Sequence, residues 1–156
     1  MKIEFKLNGR TIAFEAGAND TLYGMLRALG ISSVKCGCET TNCGLCTVHM
    51  DGKAVLSCSV PAMRCNGRDI RTLEGMNDAA KALADCLADE GADQCGFCAP
   101  GMMMNVLMLA KENPNATDEE ADAYLAGNLC RCTGYMSQKR AIRRFLNRVV
   151  SGEVRV

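Results

Sequence analysis

Residues 36–58 read Cys36-Gly37-Cys38-Glu39-Thr40-Thr41-Asn42-Cys43-Gly44-Leu45-Cys46-Thr47-Val48-His49-Met50-Asp51-Gly52-Lys53-Ala54-Val55-Leu56-Ser57-Cys58, and two patterns overlap in them. Cys38, Cys43 and Cys46 follow the spacing C-x4-C-x2-C, and Cys58 supplies a distant fourth thiol. The segments Cys46 to Met50 and Lys53 to Cys58 flank Asp51-Gly52, a pair suited to the positive φ values of a two-residue hairpin turn. A cysteine loop therefore opens into a hairpin, and the hairpin returns with one more cysteine.

The pattern extends outward on both sides. Ile3, Phe5 and Leu7 alternate with polar residues, Asn8-Gly9 forms a second hairpin turn, and Ile12 and Phe14 resume the alternation. Thr21 to Leu29 puts Leu22, Met25, Leu26 and Leu29 on one helical face, with Gly30 where a left-handed cap belongs. Ile70 to Leu73 adds a short last strand. After about Gly75 the period becomes helical. Asn77 is placed to cap a helix running to Glu90 and ended by Gly91, and Pro100 suits the first turn of a helix that stops before Asn113-Pro114. Thr117-Asp118-Glu119-Glu120 has the form of a capping box. Ile142, Phe145, Leu146 and Val149 give a last helix its apolar stripe, with Gly152 past its end. The expectation is an α+β chain with a hairpin-and-helix unit of the β-grasp kind in residues 1–75 and four helices forming a small bundle in 76–156. Met102, Met103, Met104 and Met108 are read as adaptable core filling.

With 156 residues, either half is small enough that a metal site would help hold it together. Eighteen basic residues balance eighteen acidic ones, four Phe and three Tyr are the only aromatics, and Trp is absent. Nucleic-acid binding and attraction to an anionic membrane have no support in that balance. Ala99 to Ala110, the most apolar stretch, is far short of the about 20 residues a membrane span needs. No signal-peptide pattern is read at the start, so a cytoplasmic protein is expected. Eleven cysteines in such a chain favour metal or redox use over a disulfide framework.

Eight of those cysteines fall into two sets. Beside Cys38, Cys43, Cys46 and Cys58 stand Cys95 and Cys98, spaced C-x2-C, and, after thirty-one intervening residues, Cys130 and Cys132, spaced C-x-C. The first spacing is that of a plant-type ferredoxin 2Fe-2S cluster, and the two sets together predict two clusters and electron relay between them. Gly37 and Gly44 give the first loop freedom to wrap an inorganic core, so that its amides point at sulfur and tune the potential. A Rieske centre would need two histidines, and His49 stands alone; on its strand it reads as a surface or half-buried residue with no role. Four thiolates also suit closed zinc sites, and zinc stays open as a structural alternative, although C-x4-C-x2-C and Cys130-Arg131-Cys132 are not the usual zinc spacings. Cys36, Cys65 and Cys86 are left over; Cys65 and Cys86 read as small buried apolar residues. Lys139, Arg140, Arg143, Arg144, Arg148 and Arg155 crowd the last eighteen positions with only Glu153 among them, which reads as a solvated helix face.

Three segments carry a resemblance across nearly the whole chain. They are Val34-Lys35-Cys36-Gly37-Cys38 through Asn42-Cys43-Gly44-Leu45-Cys46-Thr47-Val48, then Gln94-Cys95-Gly96-Phe97-Cys98-Ala99-Pro100-Gly101-Met102, and Gly127-Asn128-Leu129-Cys130-Arg131-Cys132-Thr133-Gly134-Tyr135. Together they resemble the small iron-sulfur subunit of the molybdenum hydroxylases, the xanthine dehydrogenase, aldehyde oxidoreductase and carbon monoxide dehydrogenase family. A free-standing ferredoxin, the other reading kept open, would match only the first. The resemblance implies a ferredoxin domain with one cluster and a helical domain with the other. Electrons would arrive from a molybdopterin centre on a large subunit and leave to FAD on a medium subunit. By position Gln94 and Cys132 match residues that approach the pterin. No dinucleotide fingerprint is present, so flavin and molybdenum belong to other chains and this chain is not active alone. The substrate, whether purine, other N-heterocycle or aldehyde, is bound elsewhere. Two departures stand out. Thr41 and Asn42 occupy positions where glycines are common, and Met136-Ser137-Gln138 replaces a stretch that often reads Gln-x-Ile.

Overall fold

The computed structural model describes residues 1–156 except for the side chain of Asn77, so the capping role expected of that residue lies outside the described residues. Five strands, β1 (Lys2–Leu7), β2 (Arg10–Glu15), β3 (Thr47–Met50), β4 (Lys53–Leu56) and β5 (Asp69–Arg71), make one mixed sheet in the order β2-β1-β5-β3-β4. Both expected hairpins form, β1 antiparallel to β2 and β3 antiparallel to β4. Asn8 and Gly9 turn the first at φ 50° and 81°, and Asp51 and Gly52 the second at φ 51° and 75°. β5 joins the two by running parallel to β1 and antiparallel to β3. That last strand is shorter than expected because Leu73 already belongs to a single 3-10 turn, Leu73–Gly75.

Helix α1 (Leu22–Ala28) begins at Thr21, whose Oγ1 accepts the Gly24 N–H, and is followed by Gly30 at φ 83°. Ile3, Phe5 and Leu7 face inward on β1 while their neighbours face water. They meet Leu22, Met25 and Leu26 of α1, with Val48 and Ile70, in one buried core. Each such side chain contributes about 1.5–3 kcal/mol when fully buried.

Helices α2 (Asn77–Asp89), α3 (Ala99–Glu112), α4 (Asp118–Leu125) and α5 (Met136–Val150) build a second core around Leu83, Cys86, Val106, Leu107, Phe145 and Leu146. α4 carries the expected capping box: Thr117 Oγ1 accepts the Glu120 N–H, and the Glu120 carboxylate accepts the Thr117 N–H. α3 is apolar nearly all round, as a helix buried on two sides must be. It packs on α2, α4 and α5 and also on β3 and β4. Met102, Met103, Met104 and Met108 are all buried in it. No helix is long and apolar enough to cross a membrane, among the described residues.

One sequence reading changes in three dimensions. His49 is 6% exposed, and its Nε2–H donates to the Met104 carbonyl at 2.7 Å, tying the sheet to α3. Burial, with Lys111 and Arg71 nearby, holds its pKa below the ordinary value. The basic stripe of α5 is solvated, as expected, and pairs with acids: Lys139 with Asp122, Arg140 with Glu90, Arg143 with Asp118 and Arg144 with Asp89 from other segments, and Arg148 with nearby Glu153, at 2.5–3.0 Å. Such exposed pairs are each worth about 0–1 kcal/mol, so they orient α5 against α2 and α4 more than they stabilise it.

Candidate metal centres

The loop before β3 gathers Cys36, Cys38, Cys43, Cys46 and Cys58 around one recess. Cys43 and Cys46 are buried, Cys38 and Cys58 partly so, and Cys36 is exposed. Tight turning comes from Gly44 at φ 72° and from Thr41 at φ 59°, a left-handed conformation that a β-branched residue rarely adopts. Thr41 thus accepts the backbone that a glycine would take without strain. The loop aims amide groups at sulfur: Asn42 N–H donates to Cys38 Sγ at 3.4 Å. The Thr40 amide, and after it the Asn42 amide, lowers the Cys38 thiol to about 6. Burial raises Cys43, and burial together with the neighbouring Cys46 raises Cys58 to about 12. Cys36 donates its S–H to the Cys38 carbonyl at 2.9 Å.

The second set also converges. Cys95, Cys98, Cys130 and Cys132 share a cavity of about 90 Å³ with Gln94, Thr133 and Gln138. Cys98 occupies the position just before α3, with Pro100 in the helix's first turn. Cys95 and Cys132 are exposed and their sulfurs stand 3.5 Å apart, whereas Cys98 and Cys130 are partly covered. The turn between Cys130 and α5 is built on Tyr135, which adopts φ 69° and whose hydroxyl accepts the Cys130 N–H at 2.8 Å. Cys130 is pushed up by burial, but the Thr133 hydroxyl and the Thr133 and Cys132 amides outweigh this and leave it at about 7. Burial takes Cys98 to about 11. The Phe97 amide lowers Cys95, and the hydrogen bond with Cys95 raises Cys132. Gln94 is exposed beside Cys95.

Between the two recesses the chain is locked. Leu129 N–H donates to the Cys43 carbonyl at 3.0 Å. Asn128, 3% exposed, donates to the Gly44 carbonyl and accepts from Asn105 of α3. Gly101 of α3 lies so close to Gly44 and Leu45 that a Cβ would stand 2.4 Å from the Gly44 oxygen. Lys35 Nζ sits 4.9 Å from the centre of the Phe97 ring, joining the first loop to the second by a cation–π contact. Sequence reasoning gave no role to Asn105, Asn128 or Gln138. Thr133 and Tyr135 lay inside the quoted Cys130 segment but carried no assigned chemistry.

Among the described residues no group of three His, Cys, Asp or Glu side chains closes tightly enough to hold a single metal ion. A dinuclear 2Fe-2S core asks for a broader stance, two thiolates on each of two irons, and sulfurs met by amide and hydroxyl donors suit it. Five thiols around one recess and four around the other, on a mixed α+β frame, suit an iron-sulfur electron-transfer protein. Residues 5–84 match the family described as the 2Fe-2S iron-sulfur cluster binding domain, and residues 72–143 match the 2Fe-2S binding domain. The chain is 40% identical over 144 residues to the nicotinate dehydrogenase small FeS subunit of Eubacterium barkeri, covering 90% of this chain and 92% of that one. It is 46% identical over 138 residues to the xanthine dehydrogenase iron-sulfur-binding subunit of Escherichia coli O157:H7, covering 85% and 86%. Among solved structures it superposes on quinoline 2-oxidoreductase from Pseudomonas putida 86 with a TM-score of 0.90 at 36% identity, covering 99% and 98%. The chain belongs to the small iron-sulfur subunits of the molybdenum hydroxylase family. Its work is electron transfer as a subunit of an oxidoreductase.

Proposed function

We propose that this chain is the relay of a heteromeric molybdenum hydroxylase, with Cys38, Cys43, Cys46 and Cys58 holding one 2Fe-2S cluster and Cys95, Cys98, Cys130 and Cys132 the other. In this reading residues 1–75 form a β-grasp ferredoxin unit and residues 76–156 a four-helix bundle. When bound, the clusters supply one-electron centres, the helical one filled from molybdopterin on a large subunit and the sheet-side one emptied by an FAD subunit.

The observation that carries the reading is the Leu129 N–H bond to the Cys43 carbonyl, 3.0 Å long. Cys43 is a ligand of one set, and Leu129 is the neighbour of Cys130 in the other. A route made of one ligand's own backbone, one hydrogen bond and one further residue joins the two recesses without crossing empty space. Asn128 and Asn105 hold that bond in place from the side. At the outer edge the exposed Cys132 and Gln94 are available to a cofactor on another chain, and we assign them the pterin contact. The names of the relatives, with nicotinate, xanthine and quinoline among them, support an N-heterocycle such as a purine as the substrate of the complex, ahead of an aldehyde.

The test is low-temperature EPR of the dithionite-reduced protein, purified anaerobically with whatever subunits accompany it, with iron and sulfide measured on the same sample. Two S = 1/2 signals and about four irons per chain are expected for two four-thiolate clusters. Colourless protein holding zinc would overturn the reading, and so would substrate turnover by the isolated chain.

A further inference from the structure

Gln138 lines the second recess, and the relay gives its chemistry no use. It is 4% exposed, on the first turns of α5, and both ends of its amide are occupied. Nε2 donates toward Cys98 Sγ at 3.9 Å, and Oε1 accepts the Thr133 hydroxyl at 3.0 Å. Thr133 Oγ1 in turn accepts the Tyr135 N–H at 3.1 Å and stands 3.2 Å from Cys130 Sγ. Nε2 has no other partner among the described residues. A core position at the start of an amphipathic helix is ordinarily apolar, and burying an amide there is costly unless its groups are bonded.

Resting on the reading that Cys98 and Cys130 are ligands of one cluster, we propose that Gln138 raises the reduction potential of that cluster by donating its side-chain N–H to the Cys98 sulfur. The reduced centre carries one more negative charge than the oxidised one, and this charge is partly borne by the sulfurs. An N–H donor aimed at sulfur therefore stabilises the reduced form more, as hydrogen bonds to cluster sulfurs do generally. Thr133 sets the direction of the effect. Oε1 lies against Thr133 Oγ1 and Nε2 faces Cys98; the flipped amide would present an oxygen lone pair to the thiolate. Gln138 is thus a positioning and tuning residue, and the amount of driving force between the two centres depends on it. The sheet-side recess has no counterpart: its sulfurs receive the backbone N–H of Asn42, and no side-chain amide reaches them among the described residues.

The test is a mediated redox titration of the purified, iron-loaded complex followed by EPR, comparing wild type with Gln138→Leu and Gln138→Glu. At a fixed applied potential, Gln138→Leu is expected to lower the reduced-to-oxidised ratio of the second centre by about tenfold, 59 mV for a one-electron couple. The sheet-side centre serves as the internal standard and does not move. Gln138→Glu, with a carboxylate in place of the donor, lowers the ratio further. Two intact signals with the second unmoved in Gln138→Leu would overturn the proposal while leaving the relay standing; a wild type lacking the second signal would take the relay down first. Should the variants fail to hold iron, wild-type protein labelled with 15N at its glutamine side chains gives an independent answer. Gln94 and Gln138 are the only glutamines, and a Gln94→Leu background leaves Gln138 alone. Hyperfine spectroscopy of the reduced second centre is expected to show coupling to that nitrogen, and its absence overturns the proposal.

Discussion

Gly101→Ala probes the joint between the two recesses. Gly101 lies in the first turn of α3, where a new Cβ would stand 2.4 Å from the Gly44 oxygen, 2.8 Å from Leu45 Cα and 3.0 Å from the Leu45 carbonyl carbon. All three are backbone atoms of the first cysteine loop and cannot swing aside. Ordinary contact begins near 3.4 Å, so helix and loop must part by about 1 Å. Overpacking of this kind costs about 1–3 kcal/mol. Against it stands the better helix propensity of alanine, at most about 1 kcal/mol. The clash wins in most of that range, and a net loss of about 1–2 kcal/mol lowers Tm by about 2–8 °C in a chain of this length. The displacement also reaches the relay, because α3 carries Asn105, which grips Asn128 next to Leu129. Thermal unfolding followed by circular dichroism, and the spin–spin interaction between the two reduced centres, are the two assays. Gly127→Ala is the control: nothing lies within 4 Å of a Cβ there, and the change is expected to stabilise by about 0.4–1 kcal/mol. If Gly101→Ala melts with the wild type and keeps the same spin–spin interaction, the close crossing of α3 over the loop does not set the distance between the sites.

Other perturbations reach different parts of the molecule. Cys132→Ser is expected to abolish the second EPR signal and electron flow from the molybdenum subunit while keeping the first signal; two unaltered spectra would refute its place among the ligands. Cys65→Ala and Cys86→Ala each remove one buried sulfur from a core and are expected to cost on the order of 1 kcal/mol with iron per chain unchanged, so iron lost by either would show a ligand role. His49 makes stability depend on pH. Its folded pKa lies below the usual 6.5, so on acidification the unfolded chain takes up the proton first. The His49 contribution is complete above about pH 6.5 and is lost as the pH falls below it through the folded value. Urea midpoints measured from about pH 7.5 to 5 are expected to fall less steeply in His49→Leu than in wild type; parallel slopes would show that His49 is not responsible.

Much of the local architecture was legible because it is written in neighbouring residues. Asn8-Gly9 and Asp51-Gly52 specify their turns by accepting positive φ, Thr117 and Glu120 cap each other three residues apart, and alternation on β1 marks its inward face. The cysteines grouped by spacing line two recesses, with Cys36 joining the first. Other features had no local signature. The parallel pairing of β1 with β5 joins residues more than sixty positions apart and leaves no trace in either strand. His49 looked like a strand residue near a turn, and only α3 packed on β3 buries it against Met104. Four of the basic residues crowded on α5 pair with Asp89 of α2, Glu90 just past its end, and Asp118 and Asp122 of α4, acids that no local window places beside them.

By itself, then, the sequence determined what depends on short spans: turn chemistry and helix limits. Tertiary structure alone decided how the two thiol sets face each other. The Leu129–Cys43 bond, the Asn105–Asn128–Gly44 chain, the crossing at Gly101 and the Gln138 contact with Cys98 each need two distant segments to arrive within hydrogen-bonding or van der Waals distance. Those meetings follow from packing the second core against the sheet, a property of the whole chain that no local window contains.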